Sequence, residues 1–359
     1  MDSIEIGRKR LARQRIEGAK FERAEQVVEW MGAMQAQAFP QALWAVAKRM
    51  QNGTQEDVEQ ALSEGKIVRT WPMRGTLHFV APEDAKWLLR LSAPRVIASS
   101  KGRLKQLELD IELLDRCIGL FHQELAGGKH LSRAAMMDVL EQNGVLTANQ
   151  RGYHILWHAA QTGQICLGPV QAKQQTFVLL DEWVPNARNL TREESLHELA
   201  MRYFHSHGPA TVHDFAWWMG STVKDAKMAL AFAKSNLALD TFAGTEYWSG
   251  ADSGGFSGDA PSFHLLPAFD EFLLGYKDRS AVLPEKHTQQ VVPGKNGIFL
   301  PFVAENGQVV GTWKKSVGKK KVELAVSPFS LRSNLVENLK KEAEAIGRFH
   351  QLPVAISFQ

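Results

Sequence analysis

Apolar residues along the chain fall at helical spacing and then give way to short strand-like runs, and this succession recurs three times. The third copy is the clearest. Leu196, Leu199, Ala200, Tyr203 and Phe204 share one helical face that ends at His207-Gly208-Pro209. Thr211 opens a short helix through Phe215, Trp218 and Met219, and another follows through Met228, Leu230 and Phe232. Residues 237–242 and 247–248, separated by Ala243-Gly244-Thr245, predict a hairpin.

The second copy places Ile111, Leu114, Ile118, Phe121 and Leu125 on one helix. Ser132 caps the next, and Ile155, Leu156, Ala159 and Ala160 mark a third, before strands at 164–167 and 176–180 around a long polar loop. The first copy predicts a helix carrying Val27, Trp30, Met31 and Met34, a second after Pro40, and a third over 54–63. Its strands, over 66–70 and 75–80, are joined by Trp71-Pro72-Met73-Arg74. From Pro261 the texture changes to apolar runs broken by Gly, Pro and Asn, with a last helix from about Ser333 to His350 and a strand over 354–358.

Three helices and a hairpin make a winged helix, in which the third helix can enter a major groove while the hairpin grips the backbone. The expected fold is therefore α+β. Three tandem winged-helix units, 1–105 with a basic N-terminal helix, 106–190 and 191–260, precede a mostly β unit with a terminal helix, 261–359. Similar bundles also serve purely as interaction modules, so the pattern alone leaves function open.

Composition adds little: 44% hydrophobic and 23% charged residues describe an ordinary globular protein. No window reaches the roughly 18 apolar residues of a membrane span, and no export signal follows the basic start, so a cytoplasmic protein is expected. Cys117 and Cys166 read as reduced core thiols. Charge matters more through its distribution than through the net +3. Arg8, Lys9, Arg10, Arg13 and Arg15 crowd the start, Lys101, Arg103 and Lys105 alternate mid-chain, and Lys314, Lys315, Lys319, Lys320 and Lys321 crowd a late loop. Each cluster is either a solvated face or a contact for DNA phosphates.

Candidate chemistry centres on Met34-Gln-Ala-Gln-Ala-Phe-Pro40. In an extended stretch i and i+2 point to one side, so Gln35 and Gln37 could jointly hold a water or a sugar, although polar helix ends are common. Arg74 and His78 flank the first hairpin turn, where a cation would suit a phosphate and a ring a sugar, or where both serve the turn itself. Asp270 and Glu271 are adjacent, so on a strand only one could face a cavity, with Lys277 or Arg279 as ion-pair partners. His154 and His158 have i, i+4 metal spacing without an evident third ligand; with Arg151 and Trp157 their helix is a better DNA contact. Trp217 and Trp218 read as core.

Met34-Gln-Ala-Gln, Arg69-Thr-Trp-Pro-Met-Arg-Gly-Thr-Leu-His78, Leu265-Leu-Pro-Ala-Phe-Asp-Glu-Phe-Leu-Leu-Gly-Tyr276 with Asp278-Arg279, and Gly311-Thr-Trp-Lys-Lys315 together resemble the AlkZ/YcaQ family of winged-helix DNA glycosylases. The resemblance spans nearly the whole chain. It implies excision of N7-alkylated purines from double-stranded DNA, including unhooking of interstrand crosslinks, without a cofactor or metal. It makes Gln35 and Gln37 the catalytic pair of a Gln-apolar-Gln motif, the form associated with resistance to alkylating natural products. Arg74, His78, Arg151, Lys314 and Lys315 are then candidate DNA contacts. Whether the base is flipped stays open, because a crosslinked nucleotide cannot swing freely. The competing reading is a non-enzymatic winged-helix transcriptional regulator, which predicts a dimer on spaced half-sites; three units in one chain favour a monomer.

Overall fold

The computed structural model describes residues 2–171, 174–252, 262–294, 297–330 and 335–358. The chain forms two compact units, one from Met1–Glu59, Leu196–Trp218 and Thr222–Gln359, the other from Gln60–Ser195 and Met219–Ser221. No helix among the described residues is long and apolar enough to cross a membrane.

The first unit opens with helix Ser3–Arg13, where Asp2 accepts the Glu5 N–H at 2.8 Å as N-cap. The arginines here read as a solvated face or a phosphate contact, but two of them are interior struts. Arg10 is 1% exposed, donates through Nε to the Pro209 carbonyl at 3.0 Å and lies 3.6 Å from the Tyr276 ring centre. Arg13, 4% exposed, donates to the Gly250 and His205 carbonyls and to Asp252. A cation so buried is held by such fixed acceptors, whose sequence distance hides them from a local reading.

Helices Ala24–Met31 and Phe39–Ala47 follow. The third predicted copy forms helices Arg192–His207, Val212–Met219 and Val223–Ala233 and the hairpin Leu237–Phe242 with Thr245–Gly250. Thr211 and Asp214 satisfy each other's backbone N–H at 3.1 and 3.0 Å, a capping box that starts the middle helix. Ala243 and Gly244 both take positive φ, 48° and 76°, as a two-residue hairpin turn requires.

Beyond residue 261 the unit builds a five-stranded sheet in the order Val354–Phe358, Val322–Pro328, Gln308–Val317, Phe302–Glu305 and Phe263–Leu266. All pairs are antiparallel except Val322–Pro328 with Val354–Phe358, whose parallel pairing needs the crossover supplied by helix Leu335–His350. Ser333, the expected helix start, lies outside the described residues. Leu266, Phe272, Val282, Phe302 and Val309 pack beneath the sheet.

In the second unit, helices Ile111–Leu125, Arg133–Gln142 and Arg151–Gln161 share a core of Phe121, Leu125, Met136, Leu140, Ile155 and Leu156. Ser132 caps the second of them by accepting the Ala135 N–H at 3.2 Å. The expected long loop is instead a long hairpin, Ile165–Gln171 with Gln174–Leu179. It joins the shorter hairpin Val68–Thr70 with His78–Val80 through the antiparallel pair Arg69 and Leu167. Between those short strands a single 3₁₀ turn, Met73–Gly75, shortens the pairing expected from 66–70 and 75–80. Gly75 sits there at φ +66°, and a Cβ would come within 2.9 Å of Val96 Cγ1.

The 25-residue helix Pro82–Gln106 was not read from the sequence. Pro94 inside it cannot donate to the helical ladder, and Ser and Gly dilute the apolar stripe, so the period-3.6 signal is weak.

Candidate active site

The predicted first helix does not reach Met34. It stops at Met31 because Gly32 turns to φ +75°, and Met34–Gln35 continue as extended chain. Ala36 is fully buried, so its neighbours project to the opposite side: Gln35 is half-buried and Gln37 exposed. Helix Phe39–Ala47 begins two residues later with Pro40 in its first turn, where a missing N–H costs nothing. The two side chains thus leave the chain on one edge, Gln35 partly covered and Gln37 open.

That edge is held from a sequence-distant motif. The Gln35 backbone N–H donates to Glu271 Oε1 at 3.0 Å, and Glu271 Oε2 accepts from Trp218 Nε1 at 3.1 Å. Glu271 is 1% exposed. His207 Nε2 lies 3.6 Å from the same Oε2, while its Nδ1 meets Ser206 Oγ at 2.7 Å. Burial pushes the His207 imidazole below its ordinary pKa, and Glu271 opposes that shift. Its ring stacks on Tyr203, centres 4.8 Å apart.

The expectation for Asp270 and Glu271 is corrected. They open a short helix, Glu271–Leu274, and both are buried. Asp270 caps it through the Phe272 N–H at 2.9 Å and is held by Arg49 through two 2.9 Å bonds, rather than by Lys277 or Arg279. Gln14 Oε1 accepts from the same guanidinium at 2.7 Å. A bidentate pair fixes direction as well as position, so the start of this helix is closely set.

Gln35 Oε1 is itself a buried acceptor without a hydrogen-bond partner among the described residues. Leaving such an atom unmatched costs about 1–3 kcal/mol, so it marks a place where something other than stability is served. An amide oxygen here can accept from a water or lie against developing positive charge.

The other candidates separate. Lys314 is exposed on strand Gln308–Val317. Lys315 points to helix Leu335–His350, 2.9 Å from His350 Nε2, and burial brings its ammonium down to about 8. Arg74, His78 and Arg151 belong to the second unit. Arg74 Nη2 lies 3.3 Å from His78 Nε2, and His78 Nδ1 lies 2.8 Å from the Thr76 carbonyl. With a carbonyl as its only possible role an acceptor, Nδ1 carries the proton and Nε2 receives from Arg74. His78 is fully buried and Arg74 half-buried. Arg151 donates to the Leu146, Leu107 and Glu108 carbonyls. His154 and His158 are lowered in pKa by burial, and no group of three metal-ligating residues occurs among the described residues.

Sequence reasoning flagged Glu271 but missed its link to Gln35. It also placed both tryptophans in the core: Trp218 is there, but Trp217 is 41% exposed, tied by Nε1 to the Leu274 carbonyl at 3.1 Å. Exposure of one of two adjacent tryptophans is settled by tertiary packing and leaves no local signal.

Comparison with known proteins identifies what the chain is similar to. An interstrand DNA cross-link repair glycosylase of Streptomyces sahachiroi is 26% identical over 377 residues, covering 97% of each chain. The solved structure of Streptomyces sahachiroi DNA glycosylase AlkZ superposes with a TM-score of 0.83 at 23% identity, over 99% of this chain and 100% of that one, so the fold is shared. The sequence profile of the DNA glycosylase AlkZ-like family matches residues 28–349, a span that holds both the amide edge and the Asp270–Glu271 helix, and the chain therefore belongs to this family of N-glycosidic-bond hydrolases.

Proposed function

We propose that the protein excises cationic N7-alkylated purines from double-stranded DNA, with the Gln35 and Gln37 amides as its catalytic groups, and that it acts as a monomer. The observation that carries this reading is the buried, unmatched Gln35 Oε1 beside an exposed Gln37 on one edge. An N7-alkylguanine already carries positive charge, so its departure needs little acid catalysis. What remains is to stabilise an oxocarbenium-like sugar and to aim a water at its anomeric carbon, and amide oxygens can do both. An amide cannot take up a proton at neutral pH, which confines the site to leaving groups that depart without one.

The Streptomyces relative is named for interstrand cross-link repair, and we extend that substrate to this chain. Each helix-and-hairpin repeat, over 1–105, 106–190 and 191–260, acts in this reading as a winged helix. The exposed Lys314 and the lysines 319–321 at the adjoining hairpin tip meet phosphates.

The test is single-turnover incubation with a duplex carrying one N7-methylguanine, followed by alkali cleavage. Wild type yields abasic product well above spontaneous loss. Gln35→Ala and Gln37→Ala each slow excision by about 100- to 1,000-fold, the range for removing one pre-aimed polar group, and keep DNA affinity. Excision no faster than spontaneous depurination contradicts the reading.

A further inference from the structure

We infer that Glu271 is a positioning residue for the reaction: it sets where the Gln35 amide stands. This rests on the catalytic reading of Gln35. Residues 34–37 form a short extended edge between a glycine turn and a helix start. At Gln35 the backbone N–H donates to a carboxylate, Glu271 Oε1, at 3.0 Å. A hydrogen bond to an ionised, buried acceptor is about twice as strong as a neutral one.

Glu271 is itself constrained at both ends. Oε2 is occupied by the Trp218 indole at 3.1 Å, and its backbone begins the helix that Asp270 caps and Arg49 anchors. The chain of restraint therefore runs from the Arg49–Asp270 pair through Glu271 to the Gln35 N–H, and from there to an amide whose oxygen is buried without a hydrogen-bond partner among the described residues. Both carboxylate oxygens face N–H donors, so the group must be an acceptor at each. An amide at this position would turn an NH₂ against one of the two donors, and the Gln35 tether is the one expected to yield, since the Trp218 indole is fully buried.

The experiment measures single-turnover excision of N7-methylguanine, DNA dissociation constants and thermal midpoints for wild type, Glu271→Gln, Gln35→Ala and the double variant. Glu271→Gln is expected to slow the chemical step about ten- to a hundredfold, the range known for groups that orient metal ligands, with DNA affinity within about twofold. In the Gln35→Ala background the same change is expected to have no further effect on rate, because the amide it orients is gone. A purely structural role would shift the midpoint and slow both backgrounds alike. If Glu271→Gln melts below the assay temperature, Glu271→Asp, which keeps the charge and withdraws it from Gln35, is read by the same measurements. An unchanged rate in the single variant, or equal losses in both backgrounds, overturns the inference while leaving Gln35 catalytic. A full rate in Gln35→Ala contradicts the functional reading instead, and the inference with it.

Discussion

The two compact units bury charge to different degrees. The first buries ion pairs at both partners: Arg49 with Asp270, both side chains fully buried, and Lys48 with Glu342 at 2.5 Å, 4% and 9% exposed. In the second, Asp84 is fully buried but its partner Arg188, 3.4 Å away, is 35% exposed, and the unit's core cluster is aliphatic and aromatic, from Trp71 and Phe121 to Leu179. Buried pairs are a poor source of stability, because the desolvation of two charges roughly offsets their attraction. They are directional, whereas apolar contact is not. In the first unit the fully buried pair fixes the start of the helix whose Glu271 accepts the Gln35 N–H.

Removing single members should damage both units similarly, and removing whole interactions should not. Phe121→Ala in the second unit is expected to cost about 3–5 kcal/mol in denaturant unfolding, as large aromatic truncations do. Arg49→Met in the first should cost about as much, because Asp270 is left charged and alone. Arg49→Met combined with Asp270→Leu should recover most of that stability, yet excision should stay slow, since the helix carrying Glu271 has lost its cap. Full excision by the double variant would reduce the ion pair to packing and remove the contrast.

How far the sequence revealed this arrangement depended on the range of the interactions. The elements of the third repeat were readable because its signals are local: an apolar stripe from Leu196 to Phe204, a helix start at Thr211, and Ala243-Gly244 at the hairpin turn. The inward face of its third helix was not: Met228 and Phe232 are exposed, and Ala226, Ala229 and Ala233 are buried. Helix Pro82–Gln106 was missed because Pro94 interrupts the one local signal it has. The N-terminal arginines looked like a solvated or phosphate-binding surface because the acceptors of Arg10 and Arg13 lie some 190–240 positions away. Gln35 and Gln37 were legible as a motif only through family resemblance. Their tether to Glu271, 236 residues on, depends on the assembled fold.

A smaller effect tests the edge of the first unit. Burial and the neighbouring Lys315 ammonium lower the His350 imidazole to about 4. Between that value and the ordinary 6.5 the unfolded chain binds a proton that the folded chain refuses, so stability should rise with pH across this window and be lost as pH falls through it. His350→Gln should reduce the rise of the thermal midpoint between pH 4 and 6.5, leaving the part contributed by His154, His158 and His207, without altering excision at neutral pH. An unchanged pH slope would mean that the ring is solvated in solution.

The central claim is that two amides, with no acid among the reacting groups, suffice because the leaving base already carries positive charge. The most direct measurement compares single-turnover excision of N7-methylguanine and of a neutral lesion, 1,N6-ethenoadenine, in the same duplex sequence at neutral pH. The account predicts excision of the cationic base, abolished to near-spontaneous rates by Gln35→Ala, and no excision of the neutral one. Comparable rates on both lesions, or a Gln35→Ala variant that still removes N7-methylguanine at the wild-type rate, would contradict it.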